Sequence, residues 1–267
     1  MCDLMDFLAS GKYKSLLELG KQLELLKLRI RHYQEMIGEV RMEWSEHSVV
    51  GKFINFRKFE YDEAGLKGFL DELGLLPVVS LVNWKYLTSE EQACLDLDKI
   101  PRTQTLHFVP NQANRITIDE LDEFIQAIDK LEINKLVRQW KEKKVKYKEL
   151  KEIWNWISQN TLQINPKCEQ YKQYGTVSMR QVDPKLNAVQ TFNILGRETF
   201  RKRCKIEDDS LISYSLKGYY SLKEARQYRT LIDIESRYYL LQTCEEARMR
   251  EMCQNRLRRY SMITPLE

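Results

Sequence analysis

The chain has 267 residues, 43% of them hydrophobic and 31% charged, with 43 basic against 39 acidic side chains and a net charge of +4. That length holds one large domain or two modest ones, and the large charged share is the balance that long exposed helices give. Only ten glycines occur, none between Leu75 and Tyr174, which argues against Gly-rich phosphate loops and sheets with many tight turns.

The first residues, Met1 to Tyr13, carry two acids before the first base, unlike a secretory signal. Within residues 1–46, Leu16, Leu19, Leu23, Leu26, Ile30, Tyr33, Ile37, Val40 and Trp44 recur at alternating spacings of three and four. This heptad predicts a helix from about Tyr13 to Trp44 with one apolar seam. Leu17, Leu25 and Leu28 lie off the seam, so a second face is expected to be partly covered. Gly20 and Gly38 mark either close approach or a break.

Residues 47–115 read as a small α+β insert. Lys52 to Tyr61 is aromatic-rich and strand-like. Asp62 and Gly74 bracket a short helix carrying Leu66, Phe69, Leu70 and Leu73. The sequence Thr88-Ser-Glu-Glu91 is a capping box that opens another. A short strand, Thr103 to Val109, lies between Pro101 and Pro110. The most apolar run, Leu75 to Val82, is eight residues long and contains Pro77 and Ser80. A spanning helix needs about 20, so no membrane segment is expected.

Residues 116–164 begin with a second capping box, Thr117-Ile-Asp-Glu120, and predict one long helix or two collinear ones broken near Asn134. Its charge is polarised: six acids lie between Asp119 and Glu132, then eight bases and two acids between Lys135 and Lys151. Acids near a helix N-terminus and bases near its C-terminus complement the helix dipole. Two such helices laid antiparallel would also match acid to base, as a docking surface does.

Residues 165–267 form a basic C-terminal region, with 19 bases against 13 acids. Thr176 to Val182 and Ala188 to Leu195 flank Asp183-Pro-Lys-Leu-Asn187, a turn that would close a short hairpin. From Ser221 to about Tyr260 the chain reads as a long helix, with Leu231, Ile234, Tyr238 and Leu241 on one face. Its bases are arginines except Lys223, and tyrosines are interleaved. Arginine's planar fork suits phosphates, carboxylates and aromatic stacking. The candidate partner or nucleic-acid surface comprises Arg197, Arg201, Lys202, Arg203, Tyr238, Arg248, Arg250, Arg256, Arg258, Arg259 and Tyr260. Arg and Tyr together characterise nucleic-acid grooves and protein hot spots alike.

Phosphate-loop, dinucleotide, zinc-protease and serine-hydrolase motifs are absent. Gly65-Leu-Lys-Gly68 has the spacing of an RNA-clamping loop but sits inside an expected helix. Asn111 to Asp122 has Ala113 and Arg115 where a calcium loop needs oxygen ligands. Tyr147 and Lys151 have the spacing of a dehydrogenase pair without the glycine-rich turn that such a pair requires. Asp96-x-Asp98 and Glu207-Asp-Asp209 read as solvated acidic turns. The six cysteines form no C-x-x-C pair and suit a reducing cytoplasm. With three histidines in the chain, no metal and no cofactor is expected.

The resulting expectation is a mainly α fold. Long amphipathic helices pack as a bundle with a coiled-coil-like core, a small α+β insert and a short β-hairpin. The heptad face is expected to be covered within the chain in preference to a homodimer. The expected function is that of a non-enzymatic interaction or accessory protein that binds a macromolecular partner, with a protein as the first choice. The alternative is a nucleic-acid-binding accessory or regulatory factor that uses the C-terminal Arg/Tyr segment.

Overall fold

The computed structural model describes residues 4–95, 104–160 and 171–261; the side chains of Arg259 and Tyr260, and the Asp96-x-Asp98 pair, lie outside what it describes. In chain order the elements are α1 (Leu4–Ala9), α2 (Lys12–Ile37), β1 (Arg41–Trp44), β2 (Val49–Tyr61), α3 (Glu63–Glu72), β3 (Ser80–Val82), α4 (Ser89–Cys94), β4 (Gln104–Pro110) and α5 (Ile118–Asp129). They continue with α6 (Ile133–Asn160), β5 (Gly175–Gln181), α7 (Ala188–Leu195), α8 (Arg197–Arg203), β6 (Cys204–Ile206), α9 (Asp208–Leu216), α10 (Leu222–Arg226), β7 (Arg229–Gln242) and α11 (Thr243–Ser261).

Among the described residues the content is 60% helix and 22% strand, and the strands form three small sheets ordered β1-β2-β7, β3-β6 and β4-β5. The expected long-helix bundle is therefore replaced by a mixed α/β architecture. The largest departure is β7. Fourteen residues read as part of a C-terminal helix are extended and lie beside β2. Their apolar groups satisfy three-four spacing, but Thr230, Ile232, Ile234, Tyr238 and Tyr239 are β-branched or aromatic side chains that favour a pleated surface. A second departure is the hairpin expected around Asp183 to Asn187. Strand β5 instead pairs antiparallel with β4, from Gln104 opposite Gln181 to Pro110 opposite Gly175. Residues 188–195 are helix, and the Asn187 side chain caps it by accepting from Gln190 N.

Two compact units are built from interleaved stretches of chain. The first comprises Met1–Ile54, Gln104–Gln181 and Ser236–Arg248; the second comprises Asn55–Thr103, Val182–Glu235 and Met249–Glu267.

In the first unit α2 and α6 pack antiparallel. Leu26 and Ile30 of α2 share a core with Leu136, Val137 and Trp140 of α6. Gly20 faces the Tyr147 ring. Tyr13 meets Trp154 edge-on, with centroids 4.7 Å apart. From Leu16 to Ile30 the heptad seam is thus covered within the chain, but only part of the seam is helical. The helix stops at Gly38, whose φ of 79° is the left-handed conformation that closes a helix. Ile37 and Val40 are exposed, and Trp44 is buried as a residue of β1. Helices α5 and α6 are separate, broken at residues 130–132. Both expected capping boxes form, at Thr88/Glu91 and Thr117/Glu120.

The second unit has its own core. Leu66 and Leu70 of α3 pack with Leu76, Val79, Phe200 of α8 and Leu211 of α9. Strands β3 and β6 pair antiparallel, with Ser80 opposite Ile206 and Val82 opposite Cys204. Burial pushes the Cys204 thiol up from its ordinary value, so it acts as a small core residue. The Asp62 side chain caps α3 by accepting from Gly65 N, as its position in the sequence implies.

Candidate partner-binding surfaces

The predicted arginines of α8 face acids and carbonyls of their own unit. Gly196, at φ 76°, turns the chain from α7 into α8. Arg197 Nε donates to Asp71 Oδ2 over 2.7 Å, and this bond raises the guanidinium pKa. Arg203 Nε donates to Glu91 over 3.0 Å. Burial opposes ionisation of Glu91, but the Thr88 amide and Arg203 outweigh it and hold the carboxyl below its ordinary range. Arg201 Nη2 donates to the Ala64 carbonyl over 3.2 Å.

Arg201 and Lys202 also line a cavity of about 370 Å³ with Glu63, Ala64, Lys67 and Glu198. Lys67 is buried and lies 3.4 Å from the Glu63 carboxylate. Three bases meet two acids there, so most of the counter-charge that an anion would supply is already in place. A phosphate at this cavity would compete with Glu63 and Glu198.

The remaining predicted residues are dispersed. Tyr238 is only 5% exposed and belongs to the core of the first unit, so it offers no surface. Arg248, Arg250, Arg256 and Arg258 are exposed on α11, and Arg256 is ion-paired with Asp209 at the start of α9. Arg259 and Tyr260 belong to α11 by their backbone.

A groove in the first unit was not singled out from sequence. It has a volume of about 630 Å³ and is lined by Leu25, Leu28, Arg29, Arg31, His32 and Glu35 of α2 and by Ile125 and Ile128 of α5. Leu28 is 59% exposed, and Met36, farther along the same helix, is 67% exposed. The sequence signal was the off-seam pair Leu25 and Leu28, which pointed to a second covered face on α2.

Ion pairs hold the two walls together. Arg29 Nε donates to Asp129 Oδ1 over 2.7 Å, and Lys14 Nζ donates to Glu120 Oε1 over 2.8 Å. The Lys14 bond, followed by the Thr117 cap, lowers Glu120 to about 2. Arg31 pairs with Glu35 along α2, so the charges at the rim are partly matched while the apolar floor is not.

No described helix is long and apolar enough to cross a membrane. No cluster of three or more His, Cys, Asp or Glu side chains suited to a metal ion occurs among the described residues. No family model, curated protein or solved structure matches the chain.

Proposed function

We propose that the protein is a non-enzymatic interaction protein whose α2/α5 groove takes an amphipathic helix from a partner protein. The observation that carries this reading is the groove itself: the exposed Leu28 beside half-buried Leu25 and Ile125 between two helices, rimmed by charge. Amphipathic helices dock into such grooves through apolar anchors spaced three, four and seven residues apart. Arg29 is paired with Asp129 and Arg31 with Glu35, so the apolar anchors rather than the rim charges select the partner helix. The nucleic-acid reading is weaker, because Arg197, Arg201, Arg203 and Arg256 have acceptors within the protein and Tyr238 is interior. The free thiols Cys94, Cys204, Cys244 and Cys253 favour a reducing compartment, and we place the protein in the cytoplasm.

The test is capture of partners from native lysate by the wild type and by Leu28→Glu, each with and without nuclease. Circular dichroism confirms that the variant folds. The expected result is a nuclease-resistant protein partner that Leu28→Glu no longer retains. Capture abolished by nuclease would move the function to nucleic acid, and capture unaffected by Leu28→Glu would remove the groove.

A further inference from the structure

In the sheet β1-β2-β7, strand β7 is an outer strand, and no described strand lies on its other side. It is fourteen residues long, where about five or six is usual. Within the second unit it runs Arg229-Thr-Leu-Ile-Asp-Ile-Glu235, with no Lys, Pro or Gly. Leu231, Ile232 and Ile234 are 47%, 59% and 54% exposed. Long outer strands expose unpaired backbone donors and acceptors, and proteins ordinarily protect them with lysine, proline, bulges or short length. This strand has neither lysine nor proline, its charges are confined to Arg229, Asp233 and Glu235 in this stretch, and it displays three large apolar side chains.

We infer that the outer edge of β7 pairs antiparallel with the same edge of a second copy of the chain, about a two-fold axis through Leu231. The order of charges selects both the occupant and the register. With the axis at Leu231, Arg229 of each copy stands opposite Asp233 of the other, on the same face as the Leu231–Leu231 pair. Thr230 stands opposite Ile232 on the other face, so two unlike-charge pairs flank the Leu231 pair and two Thr–Ile pairs form behind it. An axis at Asp233 would set Arg229 against Arg237 and Asp233 against itself. An axis at Ile232 would keep Arg229 opposite an acid, Glu235, but would set Leu231 against Asp233. Moving the axis by one or two residues, which shifts the register by two or four, is therefore penalised.

The two charged residues remain available. Arg229 lies over the Phe59 ring, 4.2 Å from its centroid, and Asp233 is 3.8 Å from Lys58 Nζ with 60% of its side chain exposed. Those two partners come from β2, while Asp233 Oδ1 also accepts from the Ile234 amide of β7 over 2.7 Å; no described strand covers the outer edge. The pairing uses a surface of the second unit alone and does not depend on the groove.

Sedimentation of the full chain from low to high micromolar concentration tests the inference. The wild type passes from monomer to dimer. Arg229→Asp and Asp233→Arg each place like charges opposite one another, and each weakens association about tenfold or more. An equimolar mixture of the two variants restores the dimer, because the charges are again unlike in the mixed pair. The chain with both changes also dimerises, and circular dichroism shows every variant folded as the wild type is. A wild type that stays monomeric, a single variant that associates as the wild type does, or a mixture that stays monomeric overturns the inference.

Discussion

Tyr238 donates its hydroxyl hydrogen to Gln34 Oε1 over 3.2 Å, and both side chains are buried. The Gln34 amide nitrogen donates in turn to Glu39 O over 2.9 Å and to Gly51 O over 3.2 Å. One glutamine thus joins α2, β2 and β7 at a point closed to water. Tyr238→Phe removes the donor and leaves Gln34 Oε1 unsatisfied, which costs about 1–3 kcal/mol. Burial raises the Tyr238 phenol above its ordinary value. Its contribution is full below the unfolded value near pH 10 and is lost as pH rises beyond it. Urea unfolding of both proteins at neutral and alkaline pH checks the cost and the sign.

Gly51 is fixed by the same cluster. A Cβ there would collide with Gln34 Oε1 and the Tyr238 hydroxyl and would lie 3.2 Å from the Trp44 ring. Gly51→Ala therefore costs about 3 kcal/mol or more. Gly38→Ala meets no neighbouring atom and strains only the left-handed backbone, for about 1 kcal/mol. The ratio of the two losses in denaturant unfolding separates crowding from conformational strain.

The two ends of the heptad pattern differ in energy. Leu26 is fully buried, and Leu26→Ala is expected to cost about 2–5 kcal/mol. Val40 lies past the helix end and is 66% exposed, so Val40→Ala changes stability by about 0.5 kcal/mol or less. Equal losses at both positions would contradict the helix stop at Gly38.

The Lys14–Glu120 bond gives an acid-side signature. The folded-state value of Glu120 is about 2, below its ordinary 4.5. A depressed carboxyl stabilises fully above the ordinary value, and the contribution disappears as pH falls through the folded one. Glu120→Gln should flatten the stability profile between those limits and leave the slope above pH 6 unchanged. Urea midpoints measured across the acid range provide the comparison.

Local signals in the sequence carried much of the secondary structure. Thr88, Thr117 and Asp62 cap helices because a side-chain oxygen three residues ahead of a free amide acts within one turn. Gly38 was readable as either a break or a close approach, and only the φ angle decides between them. Strand β7 was hidden because Leu231, Ile234, Tyr238 and Leu241 fit helical spacing, while its extended form depends on β2 far away in sequence. The basic character of α8 was plain. That Arg197 and Arg203 would meet Asp71 and Glu91 was not, since those acids come from α3 and α4. The groove was half legible: Leu25 and Leu28 announced a second face on α2, but nothing local named α5 as its other wall.

Strand β7 passes into α11 without an intervening residue: Gln242 ends one and Thr243 begins the other. In the first turn of that helix, Glu246 is 5% exposed and lies 3.1 Å from both Arg41 of β1 and Lys52 of β2, while Glu245 pairs with Lys144 of α6. One inserted residue at the junction would turn α11 by about 100° and advance it about 1.5 Å. Both carboxylates would leave their partners, and one of them is buried. Length variation ordinarily accumulates where elements join. At this junction the number of residues is held as tightly as the two carboxylates themselves.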